Sequence, residues 1–179
     1  TAEPSTQRVL AFAADIHEGK HGEIDSLLIH QHGKLLFESY YRRGRINYPH
    51  YQMSITKSYT ALAIGRAIQL GYLKMSDLNQ PVINFLKDID QSKIIAGAEQ
   101  ITLAQALNMK SGIRLDQAKA NDLRKNTKLM VGQGQIQAYL QYSDPISSDE
   151  PGFKYQSSDP SIAMQVLETV VPGSAREFI

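Results

Sequence analysis

The chain has no cysteine among its 179 residues. Disulfides, thiolate zinc sites and cysteine nucleophiles are therefore excluded, while the redox compartment stays open. No run approaches the roughly 18 consecutive apolar residues of a membrane span. Charge of one sign is also lacking: 19 basic residues stand against 18 acidic ones, a formal net charge of +1. Without a basic stripe carrying interleaved aromatics, nucleic acid is not an expected partner. There is no internal repeat, no low-complexity tract and no signal-peptide pattern. What remains is 42% hydrophobic and 21% charged, the composition of a soluble globular protein long enough to bury a sizeable core.

Residues 5–18 place Val9, Phe12, Ala13 and Ile16 at helical spacing, and Gly19 comes next as a stop. Residues 26–32 and 34–41 are β-rich runs joined at His32-Gly33-Lys34, which predicts a hairpin. A basic connector over 42–47 and a polar, strand-like stretch lead to a long helix ending near Leu70. Pro81 opens a short helix over 81–86. Thr102 caps another, with Leu103, Ala106 and Leu107 on one side and Ser111-Gly112 closing it. Residues 113–134 are polar, lysine-rich and weakly periodic, a lid or loosely ordered insertion. The basic residues of 114–128 are read as solvated, with lining of a substrate cleft as the alternative. The chain continues with a short helix over 135–142, a Ser/Pro/Asp-rich loop over 143–152 and a helix from the Asp159 cap and Pro160 through Val170.

Strands at the front and consecutive helices behind argue for an α/β layer with an inserted helical domain, divided at 1–72 and 73–179. Pro172-Gly173-Ser174 reads as a stop and a new helix cap, with 175–179 as a first turn. The expectation is therefore a fragment of a longer protein. Residues 1–5 fit a start left by export cleavage, and equally an artificial one. A periplasmic or secreted location is expected, with the cytoplasm left open; the oligomeric state is not legible.

The chemistry concentrates at Ser54-Ile55-Thr56-Lys57. On a helix, residues three apart share a face, so Lys57 is held beside Ser54. A serine hydroxyl becomes a nucleophile when a neighbouring base takes its proton. The stretch 58–70 carries one charge, Arg66, and a helix apolar on nearly all sides is a buried one. Burial would lower the Lys57 pKa and make its neutral amine a base. Farther on, Tyr155-Gln156-Ser157 sets a phenol just ahead of a helix, where a nearby ammonium would favour its phenolate and let it shuttle protons. Ser157 would relay protons or orient substrate. The plainer readings are a helix cap with a solvated lysine, a packed tyrosine and a turn serine. His30 and His32 alternate along a strand and share a face, but without further ligands they read as polar residues of an edge strand, and His17 and His21 likewise. No metal and no organic cofactor is expected.

Five stretches carry a family resemblance, in order: 32–38 (HGKLLFE), 53–59 (MSITKSY), 71–77 (GYLKMSD), 101–112 (ITLAQALNMKSG) and 151–159 (PGFKYQSSD). With them the chain resembles the N-terminal part of the serine β-lactamase-like family. That family includes class C β-lactamases, penicillin-binding proteins, related esterases and amide hydrolases of the 6-aminohexanoate-dimer type. The resemblance implies a β-lactamase/transpeptidase-like α/β (α+β) fold, an antiparallel sheet flanked by helices with an inserted helical domain, whose C-terminal strands are missing from this chain. It implies Ser54 as acylated nucleophile, Lys57 as its base partner and Tyr155 as general acid/base, with Ser157 where many class C enzymes have Asn. Tyr-x-Ser before an acidic residue resembles the esterase and oligoamide-hydrolase branch. No Ser-Asp-Asn occurs, which argues against class A, and no Lys-Thr-Gly or His-x-Gly strand occurs. In the family that third element comes late and carries an oxyanion-hole N–H, so this chain is expected to hold part of a site. The function expected is a serine hydrolase acting through an acyl-enzyme on a small ester, an oligoamide or a β-lactam-like substrate. A penicillin-binding D,D-peptidase, a non-catalytic relative that binds or senses a peptide and a purely structural domain stand as alternatives.

Overall fold

The computed structural model describes residues 4–146 and 151–179. The opening residues 1–3 and the part of the 143–152 loop at 147–150 lie outside the described residues. The chain packs as two compact units, residues 1–51 and 52–179. The sequence reading puts a division at 72/73. In the packing, the helix after Ser54 groups with the later helices, because its inward stripe meets them.

The first unit holds helix α1, Pro4–His17, and the strands β1, Ser26–Gln31, and β2, Lys34–Tyr40. α1 ends as Gly19 supports, at φ 77, with the Lys20 amide returning to the Asp15 carbonyl at 3.0 Å. β1 and β2 pair antiparallel, Leu28 opposite Glu38 and His30 opposite Leu35, with an irregularity between Ile29 and His30. His32 and Gly33 both have positive φ, 49 and 76, the requirement of a tight two-residue hairpin turn. His32 is thus a turn residue and shares no strand face with His30, contrary to the sequence reading. Among the described residues no group of three His, Cys, Asp or Glu is placed to hold a metal ion, and no helix is long and apolar enough to cross a membrane.

The second unit is helical: α2 Thr56–Gln69, α3 Leu103–Leu107, α4 Gln117–Lys125, α5 Gly132–Tyr142, α6 Ser158–Val170 and α7 Ala175–Phe178. α6 is the centre, packing against α2, α3 and α5. Its Ile162, Ala163, Val166 and Leu167 are fully buried, with Leu103, Ile136 and Leu140 brought by its neighbours. Each deeply buried leucine or isoleucine contributes about 1.5–3 kcal/mol over an exposed one, so this cluster is what holds the unit together.

Several local expectations change. The stretch before Ser54 is turn rather than strand. α2 is not buried all round: it buries the stripe Thr60, Ala63, Ile64 and Ala67, while Tyr59 and Leu62 stay exposed, Leu62 at 68%. Its small residues suit close approach to α6, and that helix lies on one side only. The helix expected over 81–86 is a 3-10 turn at Val82–Asn84, held by Pro81 bridging to Thr102. α3 starts as read, with the Thr102 hydroxyl accepting from the Gln105 amide at 3.1 Å and the Gln105 side chain accepting from the Thr102 amide at 2.8 Å. The supposed insertion contains α4, whose amide at Lys119 is capped by Asp116 at 2.8 Å. Ser174 caps α7 through the Glu177 amide at 3.2 Å.

Candidate active site

Ser54 lies in a 3-10 turn, Met53–Ile55, that runs directly into α2. The residue before it, Met53, sits at φ 47, a left-handed conformation costing about 1–3 kcal/mol outside glycine. That bend presents the serine side chain at the head of the helix. Lys57, one turn on, donates from Nζ to Ser54 Oγ at 3.1 Å. It is half-buried, not enclosed as the sequence reading expects, because the first turn of α2 stands at the surface.

Tyr155 reaches the same oxygen from 101 residues away, its hydroxyl donating to Ser54 Oγ at 2.5 Å. The Lys57 ammonium lies 5.0 Å from the centroid of the Tyr155 ring. The hydrogen bond with Ser54 holds the Tyr155 phenol below its ordinary value, the bond with Lys57 and its charge add to this, and slight desolvation opposes them. The ring is 59% exposed, so solvent screens these effects.

The loop carrying Tyr155 is tied at several points. Its Lys154 amide donates to the Met109 carbonyl at 3.0 Å, and Arg114 Nη2 donates to the Gly152 carbonyl at 3.1 Å. Met109, at φ 54, closes α3 by the double bond pattern of a left-handed cap, the Lys110 amide returning to Gln105 and the Met109 amide to Ala106. Beneath the loop lies Asp159, fully buried. The sequence reading makes it a helix cap, and the structure corrects this. α6 begins two residues earlier, at Ser158, and Pro160 is its third residue rather than its first. The carboxylate turns inward, accepting from the Ser111 hydroxyl at 2.7 Å and amide at 3.2 Å, from Gln156 Nε2 at 2.7 Å and from the Ser158 hydroxyl at 2.9 Å.

Ser54, Lys57 and Tyr155 thus converge. Ser157 does not join them by hydrogen bond among the described residues; it is exposed and lines, with Tyr155, a cavity of about 670 Å³. α4 supplies another wall through Ala120, Leu123 and Arg124, so one basic residue of 114–128 does face a cleft. Sequence reasoning misses Asp159 as a buried hub, together with Ser111 and Gln156. The letters of an Asp-Pro helix start are the same whichever way the carboxylate turns.

A family model described as Beta-lactamase matches residues 24–178. The chain belongs to the beta-lactamase family. Its fold is the β-lactamase/transpeptidase-like one, shared with a D-stereospecific amidohydrolase from Streptomyces sp. at 23% identity and a TM-score of 0.52. That match covers 70% of this chain and 38% of the amidohydrolase, so this beta-lactamase-family chain spans well under half of that relative's length. Comparison with curated proteins finds no match.

Proposed function

We propose that the protein is a serine hydrolase that acts through an acyl-enzyme on an ester or amide. The observation that carries this reading is the meeting of an amine and a phenol on one serine oxygen, in a chain of the beta-lactamase family. The single Ser54 proton passes to the Lys57–Tyr155 pair, which enters the step holding one proton fewer than an ammonium and a phenol together, as Oγ attacks the substrate carbonyl carbon. The new C–O bond forms as the carbonyl electron pair moves onto oxygen, and the Ser54 amide offers one donor to that oxyanion. The pair then returns, the bond to nitrogen or alkoxide breaks, and Tyr155 protonates the leaving group. Water repeats the sequence on the acyl-enzyme and frees Ser54. A phenol held below its ordinary value suits both directions of this transfer. Ser157 is a candidate for orienting substrate from the adjoining cavity. Small esters, oligoamides and β-lactam-like rings all suit this chemistry, and a solved chain of this fold is an amidohydrolase, which favours amides among them.

Labelling of the full-length protein with a fluorophosphonate and with penicillin tests the proposal. A covalent adduct at Ser54, absent in Ser54→Ala while the circular dichroism is unchanged, is the expected result. Labelling by penicillin with slow release and D,D-peptide cleavage would favour the peptidase reading; no adduct with either reagent would leave a protein that binds without reacting.

A further inference from the structure

The cavity beside Tyr155 has a charge pattern that the acyl-transfer chemistry does not require. Its walls carry two cations, Arg124 and Lys154, and, among the described residues, no aspartate or glutamate. The described acids of this region are engaged elsewhere: Asp122 with Lys125 at 2.7 Å, Asp116 and Asp144 with Lys119 at 3.8 and 4.0 Å, and Asp159, buried behind the lining residues Gln156 and Ser158, with those two side chains and Ser111. Arg124 makes an intrahelical bond from Nη1 to Asn121 at 3.2 Å, and a guanidinium has five donors. Across from it stands the half-buried Tyr139. Burial raises its phenol, while a hydrogen bond with Gln135 and the nearby Arg124 charge oppose that rise. The Tyr139 oxygen accepts from Gln135 Nε2 at 2.9 Å, which leaves its own proton to be donated. Between these polar groups the lining is apolar, chiefly Leu115, Leu123 and Met130.

We infer that this cavity selects substrates bearing a carboxylate on an apolar stem, the carboxylate received by Arg124 with the Tyr139 hydroxyl and the stem lying along Leu115, Leu123 and Met130. A planar guanidinium matches a carboxylate through paired N–H bonds, which a lysine cannot reproduce. A volume of about 670 Å³ accommodates a ligand of short-oligoamide size. This deepens the hydrolase reading and rests on it for the word substrate, though the binding preference does not depend on Ser54 reacting.

The test is titration calorimetry on full-length Ser54→Ala protein with three ligands: adipic acid monoamide, hexanamide and 6-aminohexanamide. The anionic ligand is expected to bind about tenfold more tightly than the neutral one, and the cationic ligand more weakly than either. Arg124→Gln is expected to reduce the anionic preference to below about threefold. Arg124→Lys keeps part of it, and added salt weakens it. Equal binding of the three ligands, or a preference that survives Arg124→Gln, overturns the assignment. Both arginine variants alter an exposed side chain, so loss of fold is not expected, and circular dichroism checks it. Fluorophosphonate labelling of the protein with Ser54 intact separates the two ideas. Absent labelling with preserved anion preference removes the hydrolase reading alone, and labelling without preference removes this inference alone.

Discussion

Replacing Asp159 separates a buried organising carboxylate from a simple helix cap. Asp159→Ala strands the Ser111 amide, which is fixed by the backbone and cannot turn to another acceptor, at a cost of about 1–3 kcal/mol. The Ser111 and Ser158 hydroxyls, both buried, lose charge-assisted bonds at about 1 kcal/mol each net, since hydroxyls rotate and partly recover. Gln156 is half-buried and can swing to solvent. Relief of the desolvated carboxylate offsets part of this, leaving about 3 kcal/mol. Asp159→Asn keeps an oxygen for the Ser111, Ser158 and Gln156 side chains but turns an NH₂ toward the Ser111 amide, for about 2 kcal/mol. Urea unfolding reads both. With a slope of about 2 kcal/mol/M the alanine variant loses about 1.5 M of midpoint. A cap is worth about 1 kcal/mol, so midpoint losses below about 0.5 M in both variants would refute the hub.

Tyr155 is expected to titrate below the ordinary 10.0 of tyrosine. Lys57→Met should raise it, read as tyrosinate absorbance against a Tyr155→Phe control. Because the folded value is the lower one, the associated stability is present above the unfolded value and is lost as pH falls through the folded one, so neutral-pH stability should not respond. An unmoved phenol in Lys57→Met would remove the lysine as its partner. Gly71 and Gly97 make a contrasting pair, both at positive φ, 82 and 86. A Cβ at Gly71 meets nothing within 4 Å, whereas one at Gly97 falls 2.3 Å from the Ile146 carbonyl oxygen. Gly71→Ala should cost about 1 kcal/mol and Gly97→Ala about 3 kcal/mol, by thermal unfolding. Equal costs would deny the close approach.

Legibility depends on how far each signal reaches along the chain. Ser54 and Lys57 can be paired on paper because three residues of helix suffice to join them. The hairpin, the Thr102 capping box and the α7 cap are equally local. Tyr155 is 101 residues from its partner, and nothing in the spacing predicts that meeting; only the family resemblance places it there. α4 is polar in most of its residues and buries none, and of its few apolar ones Ala120 and Leu123 face a cavity rather than a core, so little announces it. The α2 error has the opposite origin: apolar composition states what a helix can bury, not what packs on each side of it. Asp159 escapes for a third reason. Whether a carboxylate caps its own helix or turns beneath a distant loop depends on donors that the chain brings from Ser111, 48 residues earlier.

The two halves of the candidate site therefore rest on different kinds of support. Ser54 and Lys57 are carried by α2, whose Ala63, Ile64 and Ala67 are packed into the apolar core. Tyr155 is carried by an exposed loop fixed through backbone and side-chain hydrogen bonds to Met109, Arg114 and, through Gln156, Asp159. Apolar packing resists opening until the whole unit unfolds, whereas a loop held by a few polar bonds opens at lower free energy. The phenol is thus the part of the trio that fails first. A proton shuttle must sit within hydrogen-bond reach of the serine oxygen, so loosening the Asp159 hub reduces acyl transfer while leaving Ser54 and Lys57 in register. The carboxylate touches none of the reacting atoms; it acts by holding Gln156 and Ser111 under the tyrosine that does.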